Sequence, residues 1–325
     1  MTRRTIAIIL AILAVALSCG YACAATNDWK WERSVEIVCP FGLGSGPDIS
    51  LRAIQPALEK ELGVPVIVNN RPGSAGLVGN EFFIRQPADG YSYMIITTSI
   101  VIHEVNKALS YSILKDCVPI CILNQDDYIL VAGKEAPYND LLELAAYAKD
   151  KPGKVTVACE SMGGTDEFLL NALMKELGIE LRLVPFSGAS ESVSSLMGGF
   201  VDLIIGSPGE VGAYIESGNM KGLGVLNETR NAIIPDVKSV KEMGLDTTYF
   251  TFRGIVARKD VPQAAIDSIR KAFANAAQSD TWKEWIANNG LKSDGFAAPE
   301  ALTEAYTDRI EMIRTGKESS SSSGK

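Results

Sequence analysis

Two stretches of this chain follow one plan, and that repetition restricts the possible folds more than any other feature. The first runs VEIVC, PFGLGSGP, DISLRAIQPALEKELG, VPVIVNN; the second runs KVTVACE, SMGGT, DEFLLNALMKELG, IELRLVPF. Each reads as a strand, a glycine-rich loop, a helix opened beside an aspartate and stopped at Lys-Glu-Leu-Gly, then another strand. The stop glycines, Gly63 and Gly178, are 115 residues apart. Solenoid repeats recur every ~20–45 residues, so this period points instead to two similar domains. Strands alternating with helices throughout argue for α/β architecture.

Spacing supports the helices. Leu51, Ile54, Leu58 and Leu62 share one face of the first; Leu169, Ala172, Leu173 and Leu177 share one face of the second. Gly63 and Gly178 are predicted to cap the helix ends. Pro56 lies inside the first helix and predicts a bend or break, because it lacks an N–H. Further helices are predicted over 137–151, 262–278, 281–289 and 299–314, from polar or proline starts and apolar spacing. The stretch 317–325 carries five consecutive serines and is expected to be disordered.

Residues 1–25 read as a cleaved secretory signal: Arg3 and Arg4, an apolar core of twelve residues, then Ala22-Cys23-Ala24. A membrane span needs about 20 apolar residues, so an uncleaved anchor fits less well. A lipid anchor on Cys19 or Cys23 is the other alternative, and Ala16-Leu17-Ser18 is a poor lipoprotein box. Cleavage takes the net charge from −8 to −10. An acidic protein of this kind is a poor partner for nucleic acid, which needs a basic face. Cys39, Cys117, Cys121 and Cys159 would remain after cleavage. Export permits disulfides, but Cys39 and Cys121 sit in apolar runs and are expected to be free buried thiols. The Cys117–Cys121 spacing has no companion pair or histidine, so no metal is expected.

The glycine loops are the chemical feature. Helix N-termini expose unpaired N–H groups and a partial positive charge, and glycine lets a ligand approach them closely. Gly46-Pro47-Asp48 fits a helix start, and Gly163-Gly164-Thr165-Asp166 offers the same device. Asp48 and Asp166 read as residues complementing the helix dipole rather than as catalysts. Gly42, Gly44 and Gly46 give G-x-G-x-G with Pro47 where a dinucleotide loop needs its third glycine, and no Gly-Lys-Ser/Thr is present. Around Ser161 the hydrolase elbow fails, because Cys159 occupies the first glycine position. The only histidine is His103, so a Ser-His-Asp site would have to use it. Binding is therefore favoured over turnover, with no cofactor; a secreted hydrolase or lyase using Ser161 or His103 is the alternative.

An ordered series of short motifs adds to this. It comprises Pro40-Phe41 with Gly44 and Asp48, Leu62-Gly63, and Asn70-Arg71-Pro72-Gly73-Ser74-Ala75-Gly76 with Gly79. Pro87-Ala88-Asp89-Gly90-Tyr91, Ala148-Lys149 and Pro152-Gly153-Lys154 follow. Then come Ser187-Gly188-Ala189, Gly198-Gly199 with Val201-Asp202, Ser207-Pro208 with Glu210, Gly218, Pro235-Asp236-Val237 and Glu242-Met243-Gly244. In this order, over roughly 35–313, the chain resembles the extracytoplasmic solute-binding proteins of tripartite tricarboxylate transporters, the Bug family.

The resemblance implies a type II periplasmic-binding-protein fold: two α/β domains joined by crossover strands, closing on a ligand. Domain 1 would comprise 33–127 and 250–316, and domain 2 would comprise 128–249, with crossings at 128–132 and 251–257. It implies a small di- or tricarboxylate ligand, membrane transporter subunits as partners, and a monomer. The ligand set expected is Phe41, Gly42, Gly44, Ser45, Gly46 and Asp48 from the first loop, with Thr98 or Ser99 beside it. From the second half come Ser161, Gly163, Gly164, Thr165, Ser187, Gly188, Ser207 and Glu210, and finally Arg253. For Arg253 a bidentate ligand contact and a salt bridge to a protein acid are both open. The second loop departs from the family: 161–165 is one residue shorter than usual, Phe168 stands about where a histidine is common, and Phe186 replaces a common tyrosine. Arg253-Gly254 and 207–210 lean towards the citrate-type branch.

Overall fold

A computed structural model describes residues 29–293 and 299–315; the predicted signal peptide and serine-rich tail lie outside the described residues. Two five-stranded sheets are present, with orders β2-β1-β3-β10-β4 and β7-β6-β8-β5-β9. The first holds β1 (Val35–Cys39), β2 (Val66–Asn70), β3 (Ser92–Thr97), β4 (Cys117–Asp127) and β10 (Phe250–Arg258). The second holds β5 (Ile129–Gly133), β6 (Thr156–Cys159), β7 (Arg182–Pro185), β8 (Leu203–Gly206) and β9 (Met220–Val225). In each, three strands are parallel and a fourth, β10 or β5, runs antiparallel to its two neighbours. The inserted strand is the one that enters from the other sheet. The internal echo is therefore a duplicated topology with one strand exchanged each way.

The exchange strands are the segments expected to cross, but the crossings themselves are shorter. Only Tyr128 separates β4 from β5, and the chain re-enters the first sheet after Tyr249. Leu226 laces the two points, its N–H donating to Tyr128 O (2.8 Å) and its carbonyl accepting from Tyr249 N (2.7 Å). From the C-terminal helix Pro299–Thr315, Arg309 stacks over Tyr249 and Phe250. In the linking segment Asp127 accepts from Asn227 and Asn231.

The helices bury the faces their spacing predicts, with two differences. Gly46–Leu62 buries Leu51, Ile54, Leu58 and Leu62 and runs unbroken through Pro56. Pro56 and Arg52, whose carbonyl loses its helical donor, are both exposed, so water can take the missing bond. Each buried Leu or Ile side chain contributes roughly 1.5–3 kcal/mol, enough to override one proline. The helix Thr165–Leu177 buries Leu169, Leu170 and Leu173, so Leu170 joins the core while Ala172 and Leu177 are half-buried. Gly63 (φ 71°) and Gly178 (φ 65°) both adopt the left-handed capping conformation. The other helices are observed at Leu141–Ala148, Gln263–Ala276, Asp280–Asn288 and Pro299–Thr315. All four cysteines expected after cleavage are free and buried, and burial pushes the thiol of Cys39 up to about 12.

Candidate functional site

A cavity of about 60 Å³ lies between the two sheets. It is bordered where strands end: Thr97 closes β3, Gly206 closes β8, and Glu160 follows β6 directly. Ligands of α/β sheets gather at carboxyl ends of strands because loops and helix N-termini converge there.

The two glycine loops meet the opposite sheet's elements in a cross-paired way. The first loop faces the segments after β7 and β8: a Cβ on Gly42 would lie 2.8 Å from Ser187 O, and Gly46 N donates to Glu210 Oε1 (2.6 Å). The second loop faces the segments after β2 and β3. A Cβ on Gly164 would lie 2.8 Å from Ala75 Cβ, and Thr165 Oγ1 lies 2.9 Å from Ser99 Oγ and 3.3 Å from Thr98 Oγ1. Thr98 in turn reaches Thr251 at 3.0 Å.

Eight of the residues expected to bind ligand line the cavity: Phe41, Ser45, Gly46, Ser99, Ser161, Ser207, Glu210 and Arg253. The others sit behind or outside it. Asp48 turns into its own lobe, where its carboxylate accepts from Gly44 N, Arg52 and Asn70. Gly42, Gly44, Ser187 and Gly188 form the outer seam, and a Cβ on Gly44 would meet Ser190 Oγ at 2.5 Å. Thr98, Gly164 and Thr165 form the seam on the other side. Gly163 is exposed, with nothing within 4 Å of a Cβ built on it.

In the second loop the backbone N–H groups expected to serve as anion donors are taken by protein acceptors. Gly163 N donates to Glu167 (2.6 Å), Gly164 N to Ser161 O (2.8 Å), and Thr165 N to Ser99 Oγ (3.3 Å). For Gly164 and Thr165 the reason is that a buried N–H left unpaired costs as much as a lost hydrogen bond, so nearby acceptors fill the position.

The spacing-based reading did not anticipate Glu160, Tyr128, Ile205, Thr251, Pro47 or Thr97 as cavity residues, and it gave Asp166 only a capping role. Asp166 does cap: its Oδ2 accepts from Glu160 N (2.9 Å) and Ser161 N (3.0 Å), while its own N–H donates to Ser161 Oγ (2.8 Å). It also lines the cavity. Strand-end position was the signal that would have found Glu160, Thr97 and Gly206.

The electrostatics are dominated by buried acids. Arg253 ion-pairs with Asp126 through Nη2, and Nη1 donates to Ser50 (3.0 Å) and Asn124 (3.3 Å). Burial raises Asp126 to about 6, against the pull of Arg253. Burial likewise raises Asp166, Glu210 and Glu160, and for Glu160 the Glu210 and Asp166 charges push further upward. Ser161 is not paired with His103: the His103 ring Nε2 sits 3.0 Å from Ala75 O, and burial lowers its basicity. The ring serves as a buried tie between the helix Thr98–Val105 and the turn at Ala75.

Comparison with known proteins gives a consistent picture. Residues 50–301 match the model of the tripartite tricarboxylate transporter family receptor. Protein BugT of Bordetella pertussis is 26% identical over 308 residues, covering 93% of this chain and 94% of BugT. MatC from Rhodopseudomonas palustris with bound malate superimposes with a TM-score of 0.82 at 23% identity, over 87% of this chain and 98% of MatC. A second R. palustris protein, with adipate, gives a TM-score of 0.81 at 22% identity, over 87% and 96% of the two chains. The fold is also shared with the periplasmic binding protein BugD (TM-score 0.80): two α/β domains built on two sheets.

Proposed function

The chain belongs to the tripartite tricarboxylate transporter receptor family, and we propose that it captures a small carboxylate between its two sheets and delivers it to membrane subunits of such a transporter. Membership makes it a solute-binding protein rather than an enzyme and implies an extracytoplasmic location. Export would use the leader at 1–25, and the moving units would be 33–127 with 250–316 on one side and 128–249 on the other.

The observation that carries this reading is the cross-paired cavity between two sheets that exchange one strand each. Its roughly 60 Å³ is several times the ~10–15 Å³ a water needs but less than half the ~150 Å³ that accepts benzene. A di- or tricarboxylate would enter only as the lobes part, and the short crossings at Tyr128 and Tyr249 are where such a hinge would turn. The relatives holding malate and adipate supply the ligand class.

A melting-temperature screen of the purified protein against malate, adipate, citrate, sugars and amines tests it. At ~100 times Kd a bound carboxylate should add ~2.7 kcal/mol of stability. Shifts from sugars or amines alone would exclude a carboxylate receptor.

A further inference from the structure

The helix Pro299–Thr315 packs on both halves of the molecule. Leu302, Tyr306, Ile310 and Ile313 belong to or pack on the core of the first sheet, whereas Met312 packs against the core of the second. Spacing explains the split. The first four follow one helical stripe, and Met312 lies beside it, one turn after Arg309. Arg309 is 5% exposed and sits between the two cores. Its guanidinium lies 4.4 Å from the ring centroid of Tyr249 and 4.7 Å from that of Phe250. Nη2 donates to Phe250 O (3.2 Å) and Nη1 to Met312 Sδ (3.1 Å), and no carboxylate pairs with it among the described residues. Tyr249 belongs to the second core and Phe250 opens β10 of the first sheet, so one cation covers the bond at which the chain changes sheets.

A second, independent contact ties the same helix to the cleft. Tyr306 donates its hydroxyl proton to Glu104 Oε2 (2.5 Å) on the helix Thr98–Val105. The first turn of that helix carries Thr98 and Ser99, which meet Thr165 across the lobes. One helix therefore touches the crossing, the core of the second sheet and the support of the hydroxyl contacts.

We propose that the helix Pro299–Thr315 is a brace that holds the two lobes together, and that Arg309 is the residue through which it sets the hinge. The inference rests on the reading of the Tyr128 and Tyr249 crossings as the hinge and adds a third link to them. Opening there turns Tyr249 away from Phe250. A planar cation stacks on both rings only while they keep their present relation, since the attraction fades beyond ~6 Å from a ring centroid. Opening also draws Met312 off the second core. Arginine suits the position because it stays charged when buried, stacks on aromatic faces and is more weakly hydrated than lysine.

The test compares Arg309→Ala, Arg309→Lys and Met312→Ala with the native protein and with Gly164→Val. It uses X-ray scattering and amide hydrogen exchange at Leu226 and Tyr249, whose N–H groups lace the crossings. We expect each of the first three variants to raise the radius of gyration and to speed exchange at those two amides about ten-fold, with β1 amides unchanged. Lysine keeps the charge but not the flat face, so Arg309→Lys should open the lobes as alanine does. Ile54→Val loosens the first core away from the crossings and should leave both readouts at native values. If it reproduces the opening, the effect is general destabilisation and the inference falls. Native behaviour of Arg309→Lys would also overturn it. If Gly164→Val opens the lobes while Arg309→Ala and Met312→Ala do not, the brace is refuted and the hinge reading stands. If no variant changes the radius, Gly164→Val included, both fall.

Discussion

The two seams of the cleft share an architecture and differ in chemistry. On one, the first glycine loop meets the helix Pro208–Glu216 through a carboxylate, with Gly46 N donating to Glu210 and Arg253 packed behind. On the other, the second glycine loop meets the helix Thr98–Val105 through hydroxyls, with Thr165 Oγ1 2.9 Å from Ser99 Oγ and 3.3 Å from Thr98 Oγ1. The aspartates that open the two helices differ in the same way. Asp48 is neutralised by Arg52 at 3.0 Å, whereas among the described residues Asp166 is engaged by backbone N–H groups and Ser161, with no ion pair. Duplication reproduced the backbone plan; the side chains then made one half cation-bearing and the other acid-bearing.

The charged seam is the one whose disruption should cost most. A Cβ at residue 46 would lie 2.0 Å from Arg253 Nη2. Gly46→Ala must therefore push the guanidinium off buried Asp126, and breaking a buried pair costs ~3–5 kcal/mol. Urea unfolding of the variant should show a loss of that size; a loss below ~1 kcal/mol would mean that Arg253 moves freely and the seam is not rigid.

The hydroxyl seam should instead control closure. Gly164→Val drives a side chain into Ala75 and Ser99, an overpacking cost of ~1–3 kcal/mol that opening the cleft relieves. X-ray scattering should show a larger radius of gyration. Its neighbour is the control. Gly163→Val meets open space and suffers only the ~1–2 kcal/mol of a left-handed backbone (φ 82°), without change in radius. Equal radii for both variants would refute the seam.

Acidity acts on both seams alike. Asp126, at about 6, and Glu160, Asp166 and Glu210 all bind protons more readily folded than unfolded. Their stabilisation is present at low pH and lost as pH rises through the folded values, so unfolding free energy should fall from pH 5 to pH 7. Glu160→Gln should flatten that slope, measured by urea melts at several pH values. An unchanged slope would show that Glu160 is already solvated.

The smallest effect expected is Thr165→Val, which removes one hydroxyl from the second seam. The loss should be ~1 kcal/mol, shared between stability and closure. Thermal melts of Thr165→Val with and without Gly164→Val would show whether the two act on the same opening, through non-additivity.

Much of the fold was legible because the signals were local and repeated. The apolar positions at Leu51, Ile54, Leu58 and Leu62, and the caps at Gly63 and Gly178, depend on backbone periodicity and φ alone. Pro56 was misjudged because a single missing hydrogen bond is small against a buried face. Half of the cavity was legible as well, since Ser45, Gly46 and Ser161 belong to the loops the sequence marks. Asp48 illustrates the limit: its place in the motif is plain, but only its distance to Arg52 and Asn70 shows that it faces away from the cavity.

The sequence by itself determined a duplicated α/β plan, the positions of two glycine-rich turns, and the family resemblance. Those follow from periodicity, turn chemistry and motif order, all short-range along the chain. Only the tertiary structure decided that β5 and β10 exchange sheets, that each loop faces the opposite lobe's helix starts, and that Glu160, Glu210 and Arg253 share one cavity. Glu160 and Arg253 are 93 positions apart in the chain. Charge, burial and hydrogen bonding at such a meeting depend on distances in space, which residue spacing along the chain does not encode.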